Sequence, residues 1–214
     1  MKSTLCIGLL GSAFDPIHFG HLRAALEIEQ NIGLDEVRFI PCKVAVHKPN
    51  SKIEMTHRLE MLKLAIASQP SFKIDERELL RITPSYTVET LQSLREEYPN
   101  ASLCLLLGMD AFLGLPTWHE WQKIETLAHM IVIQRPGAIG AMEPSFSHWV
   151  KSKTITDPKQ LKEKKSGCIF FQDPINALDI SSSLIREQFE KGLSPRYLLP
   201  DPVLEYIYKH GLYV

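Results

Sequence analysis

The sequence predicts an α/β fold: a doubly wound parallel sheet of the Rossmann-like kind, flanked by helices. Three observations predict it. Leu5–Leu10, Ser102–Leu107, Met130–Ile133 and Cys168–Phe171 are short, almost continuously apolar runs, as strands buried on both faces are. Stretches with helical periodicity alternate with them. Several runs end on glycine-bearing turns, at Gly11, Gly108 and Arg135-Pro136-Gly137, the carboxyl edge where open parallel sheets bind ligands. At 214 residues, 44% hydrophobic and 23% charged, the chain suits a single α/β domain over 1–214, with closing helices from about 181 onward.

Taken in order, Leu5–Leu10 is the first strand. Lys2 and the apolar residues after it look a little like an export signal. The stretch is short, no A-x-A site follows, and Phe14-Asp15-Pro16-Ile17-His18 comes next, so a strand is the better reading. No stretch is long enough to span a bilayer, and a cytoplasmic location is expected. Phe19–Asn31 follows as a helix with an apolar stripe through Leu22, Ala25 and Leu26, and Gly33 is a plausible stop. Glu36–Pro41 is the second strand, completing a βαβ unit.

A polar loop from Cys42 to Ile53 carries His47-Lys48-Pro49. Thr56 is expected to cap a helix bearing Leu59, Met61, Leu62 and Ile66. Phe72–Asp75 reads as a short strand. Thr87 opens a helix through Val88, Leu91 and Leu94, ended by Pro99, and Ile124–Leu127 is helical. Ala138–Ser166 is weakly patterned, and its lysines between Lys159 and Lys165 read as a solvated loop. Ser183–Lys191 and Val203–His210 close the chain as helices.

A net charge of −1 gives no global pull toward nucleic acid or an anionic membrane, and neither is expected as a partner. Any anionic substrate must be held by local donors. Cys6, Cys42, Cys104 and Cys168 form no C-x-x-C pair, and three of them lie in apolar runs. That pattern fits a reducing compartment without a disulfide framework.

The most informative stretch runs from Gly11 to His21, where the first strand gives way to the first helix. Amides at a helix start, aided by the helix dipole, favour an anion. Gly11 and Gly20 would let a phosphate approach the backbone. His18 and His21, three residues apart, face the same way on a helical turn. Two imidazoles aimed at one phosphate can neutralise charge that develops during transfer. A His-x-x-His pair could also bind zinc, but no third or fourth ligand follows at the usual spacing, and no metal-ligating residues are assigned.

His18-Phe19-Gly20-His21 resembles the H-x-G-H signature of the nucleotidyltransferase superfamily. The wider Gly11–His21 segment is similar to the G-G-x-F-D-P-x-H-x-G-H motif of bacterial nicotinate-nucleotide adenylyltransferases, with Ser12 in place of the second glycine. Ile180-Ser181-Ser182-Ser183-Leu184-Ile185-Arg186 resembles that family's I-S-S-T-x-I-R, with Ser183 for threonine. Ser85-Tyr86-Thr87, Trp118, Gly108-Met109-Asp110-Ala111, Arg135-Pro136-Gly137 and the loop residues His47-Lys48 match further family motifs. Two prolines usual before His47 are missing. Tyr197–Pro200 and Gly211–Tyr213 match its C-terminal pattern and are read as structural.

The resemblance implies a reaction: ATP and nicotinate mononucleotide give deamido-NAD and pyrophosphate. It implies His18, His21 and Arg186 as catalytic residues. It implies an ATP site of Gly11, Ser12, Phe14, His18, Gly20, His21, Gly108, Asp110, Arg135, Ile180, Ser181, Ser183 and Arg186. Asp15, His47, Lys48, Ser85, Tyr86, Thr87 and Trp118 would meet the acceptor, with Trp118 stacking on the pyridine ring. A Mg ion is expected through the ATP phosphates. The alternatives are another phosphate-bearing acceptor (nicotinamide mononucleotide, glycerol phosphate or phosphopantetheine), a silent nucleotide sensor, or a zinc-binding structural protein. A homo-oligomer is left open.

Overall fold

A computed structural model describes residues 4–43, 53–134, 142–172 and 178–213. In chain order the elements are β1 (Cys6–Ser12), α1 (Phe19–Ile32), β2 (Glu36–Pro41), α2 (Met55–Ile66), β3 (Phe72–Ile74), α3 (Thr87–Glu97), β4 (Ser102–Gly108) and α4 (Met109–Leu113). A 3-10 turn (Leu115–Thr117) follows, then α5 (Trp121–Leu127), β5 (His129–Ile133), α6 (Pro144–Lys153), β6 (Thr154–Ile155), α7 (Gln160–Glu163), β7 (Ile169–Gln172), α8 (Ser182–Glu190) and α9 (Asp201–Lys209). The strands lie in the order β3-β2-β1-β4-β5-β7-β6. That order turns back between β1 and β4, as a doubly wound sheet requires.

The residues group into two compact units. The first comprises Met1–Leu10, Glu27–Arg38 and Tyr86–Ile175. Its sheet is parallel: Cys6 pairs with Ser102, Cys104 with His129, Met130 with Ile169, and Thr154 with Ile169. β4 is buried from Ser102 to Leu107, which explains its unbroken apolar sequence. Cys6, Cys104 and Cys168 are buried free thiols. His129 is fully buried. Its Nδ1 accepts from the Cys168 amide at 3.1 Å, and its Nε2 lies 3.1 Å from the Lys164 carbonyl oxygen. Burial holds its pKa below the usual imidazole value, so this histidine is part of the scaffold. Gly33 ends α1 at φ +72, with the Leu34 amide reaching back to Glu29 O, a left-handed helix stop that glycine adopts at little cost.

The described part of the weakly patterned stretch, 142–166, holds regular elements, and the lysine segment expected to be a loop carries a short helix. Within this stretch α6 starts with Pro144 in its first turn and buries Phe146 and Val150. Phe146 and Trp149 pack around Trp121, whose ring meets theirs edge-on at 5.7 and 5.1 Å. α7 buries Leu161. Two of the lysines tie back to the backbone, Lys162 to Gly33 O and Lys165 to Pro99 O. The cap expected at Thr56 also differs: α2 begins at Met55, and Glu54 precedes it without a side-chain cap.

The second unit comprises Gly11–Leu26, Phe39–Ser85 and Asn176–Val214. It holds the end of β1, the start of α1, the last residues of β2, and α2, β3, α8 and α9. The Cys42 amide bonds Ser12 O at 3.0 Å, and the Asp75 amide bonds Phe39 O at 2.9 Å. Phe14, Phe39 and Phe72 line up in its core, with ring centroids 5.7 and 5.0 Å apart in succession.

Candidate functional site

In the second unit, His18 stands immediately before α1 and His21 in its first turn. Their rings lie 3.8 Å apart, centroid to centroid, tilted by 32°. Gly20 makes that possible. A Cβ there would meet His18 Nδ1 at 2.9 Å, His18 Cε1 at 3.0 Å and Ile180 O at 3.2 Å, so any larger residue would push the ring away. The Phe14 ring is fully buried and meets His21 edge-on at 5.1 Å. Phe14 thus supports the His21 ring by an edge-on contact. Its φ of +47 is unfavourable for a residue with a side chain, and burial of the ring compensates. Two positive imidazoles at this spacing would repel by about 4 kcal/mol at an effective dielectric of about 20. A nearby anion relieves that repulsion.

The segment between β1 and α1 is held by its carbonyls. Arg58 of α2 donates from Nη1 to Ala13 O at 2.6 Å and to Cys42 O at 3.0 Å. Arg186 of α8 donates to Asp15 O at 2.6 Å. The Ser182 hydroxyl donates to Pro16 O at 2.9 Å. A loop that binds an anion must keep its negative carbonyl ends away from the ligand, and these side chains hold three of them. Leu198 O accepts from the Phe19 amide at 3.0 Å. The helix start therefore offers fewer open amides than the sequence implies.

The three serines at the start of α8 have separate jobs. Ser181 caps the helix, accepting from the Leu184 amide at 3.1 Å. Ser182 clamps Pro16. Ser183 is exposed and accepts from Arg186 Nη2 at 3.2 Å. Ile180 is buried, with its carbonyl beside Gly20. Asp15, expected at the acceptor, is turned inward instead. It is 8% exposed, its Oδ1 accepts from Tyr213 at 2.6 Å, and its Oδ2 lies 3.8 Å from Arg186 Nη1. Gly11 is exposed, and a Cβ on it would meet nothing within 4 Å. Packing does not require glycine there. Ser12, half-buried, ends β1. Ser85 accepts from the Lys43 amide at 3.3 Å.

In the first unit, Gly108 is the exposed last residue of β4, again with open space where a Cβ would be. Asp110 is exposed in the first turn of α4. Tyr86 precedes α3, and its ring lies 4.5 Å from that of His119, tilted by 37°. Thr87 is the first residue of α3, and Trp118, half-buried, closes the 3-10 turn. His47, Lys48 and Arg135 lie outside the described residues.

The model of the cytidylyltransferase-like family matches residues 9–188. A relative from Methylococcus capsulatus, named a probable nicotinate-nucleotide adenylyltransferase, is 44% identical over 97% of this chain and 99% of its own. The chain belongs to this family. A second relative of the same name, from Halorhodospira halophila, is 43% identical over 97% of this chain and 94% of its own. Among solved structures, the Plasmodium falciparum nicotinic acid mononucleotide adenylyltransferase complexed with NaAD superposes with a TM-score of 0.73. That match has 22% identity and covers 97% of each chain, which establishes likeness of fold.

For this member of the cytidylyltransferase-like family, sequence reasoning passed over Arg58, named Ser182 only within the serine motif, and read Tyr213 as structural. Arg58 left one signal: it shares the buried face of α2 with Met61, Leu62 and Ile66, an arginine inside an apolar stripe. Among the described residues, no group of three or more His, Cys, Asp or Glu could hold a metal ion. The donors around the histidine pair are imidazole, guanidinium and hydroxyl, a set suited to phosphate oxygens. No described helix is long and apolar enough to cross a membrane.

Proposed function

We propose that this chain joins ATP to nicotinate mononucleotide, forming deamido-NAD and releasing pyrophosphate in the biosynthesis of NAD. The observation that carries the reading is the pair of imidazoles at 3.8 Å over a bare Gly20. The names of the full-length relatives, and the NaAD complex of the fold neighbour, support the choice of acceptor.

The acceptor's 5′-phosphate oxygen attacks the α-phosphorus of ATP in line. A new P–O bond forms as the bond to the β-phosphate oxygen breaks, and pyrophosphate leaves with that electron pair. A phosphate nucleophile is already ionised near neutral pH, so the site needs position and charge rather than a strong base. His18 and His21 donate to the α-phosphate and the leaving oxygen as charge builds. Arg186, Ser183 and the Ile180–Ser181 turn hold the β- and γ-phosphates. Gly11 and Ser12 give the phosphates room. Gly108, Asp110 and Arg135 receive the adenosine, with Asp110 accepting from a ribose hydroxyl. Trp118 stacks on the pyridine, the Tyr86–Thr87 turn offers amides to its carboxylate, and His47 and Lys48 meet the acceptor phosphate. A Mg ion accompanying ATP would supply charge neutralisation at its phosphates, and no residue of this chain is assigned to hold it. Cytoplasmic location fits the free thiols.

A substrate panel tests the proposal. ATP is supplied with nicotinate mononucleotide, nicotinamide mononucleotide or phosphopantetheine, and pyrophosphate is measured. The expected result is fastest release with nicotinate mononucleotide, because nicotinamide leaves amides without an anionic partner. Faster release with another acceptor would reassign the substrate. Binding of ATP without release in any arm would make the chain a nucleotide sensor.

A further inference from the structure

We infer that the Tyr213 hydroxyl is a positioning group for the nucleotide site, holding the Asp15 carboxylate so that Arg186 stays on the Asp15 carbonyl. The inference rests on the reading that Arg186 holds the ATP phosphates. Its basis is the geometry around one carboxylate. Asp15 Oδ1 accepts from the Tyr213 hydroxyl at 2.6 Å, while Oδ2 stands 3.8 Å from Arg186 Nη1. The same Nη1 is 2.6 Å from Asp15 O. The guanidinium is therefore seated on a backbone carbonyl and kept short of a close ion pair with the carboxylate beside it. A neutral donor already occupies that carboxylate.

The arrangement is locked from the Tyr213 side too. Its ring stacks on Phe189 of α8, with centroids 5.8 Å apart and planes within 20°. That helix also carries Arg186. Tyr213 has a φ of +64, a conformation that side-chain residues hold only where surroundings fix it. Burial and the Asp15 charge push the phenol well above its ordinary pKa, so it remains a donor throughout the working pH range. Without the hydroxyl, the nearest cation for the Asp15 carboxylate is Arg186. Closing that gap draws the guanidinium from its seat.

The test compares Tyr213→Phe, Arg186→Ala and the double variant by steady-state kinetics and thermal melting. Tyr213→Phe keeps the ring on Phe189 and removes only the donor. It should lower kcat/KM for ATP by about tenfold, the scale of one hydrogen bond to a charged group, with the KM for the mononucleotide unmoved and the protein still folded, with a modest fall in melting temperature from the lost buried bond. In the Arg186→Ala background the same change should cost nothing more, because its effect passes through Arg186. An unchanged kcat/KM in Tyr213→Phe overturns the inference while the role of Arg186 stands. So does a full tenfold loss persisting in the double variant, or a fall in melting temperature with both substrates affected equally. If Arg186→Ala itself leaves kcat/KM for ATP unchanged, the phosphate role of Arg186 fails first.

Discussion

Replacing His18 by alanine should lower kcat by about a hundredfold or more, the scale of losing one donor aimed at developing charge. The effect should fall on kcat rather than on the KM for ATP, because the donor acts most strongly in the transition state. The geometry explains why one ring matters so much. His18 is 5% exposed and its ring lies 3.8 Å from that of His21, so its loss also removes one wall that orients the second imidazole. Gly20 leaves room for the ring that the substitution removes. Steady-state kinetics beside a melting curve check the result. A folded variant with kcat within a few-fold of the parent would take His18 out of the chemistry.

Arg186→Ala is the second large effect. A hydrogen bond to a charged group contributes ~1.5–3 kcal/mol, so kcat/KM for ATP should fall by roughly ten- to a hundredfold. The change also takes a donor from the Asp15 carbonyl and leaves the Asp15 carboxylate without the cation at 3.8 Å. Lysine should restore only part of the loss. Its single ammonium cannot span the Asp15 carbonyl and the Ser183 hydroxyl, which the guanidinium fork holds together. Kinetics with ATP varied at saturating acceptor read both variants. Full recovery by lysine would show that charge alone is needed there.

The sequence made visible whatever depends on local pattern. β1, β4, β5 and β7 stood out because their apolar runs are nearly continuous, and the His18–His21 spacing was legible because one helical turn fixes it. α6 and α7 were not legible. They bury only Phe146, Val150 and Leu161 between them, too few positions to raise a 3.6-residue period above a lysine-rich background. The holding groups of the site were hidden for a different reason. Arg58, Ser182 and Tyr213 act on carbonyls or a carboxylate far away in the chain; Tyr213 and Asp15 are 198 residues apart. No spacing rule links such partners. Asp15 was expected at the acceptor through the family motif it belongs to, while its carboxylate accepts from Tyr213 at the chain's other end.

The most direct measurement follows the two imidazoles themselves. Protein with nitrogen-15 in its histidines is titrated with ATP alone, without acceptor, while the ring resonances are watched. With His18 and His21 at the triphosphate, both signals should move together and saturate with the ATP that binds. Nucleotide that binds while both rings stay unmoved would contradict the account.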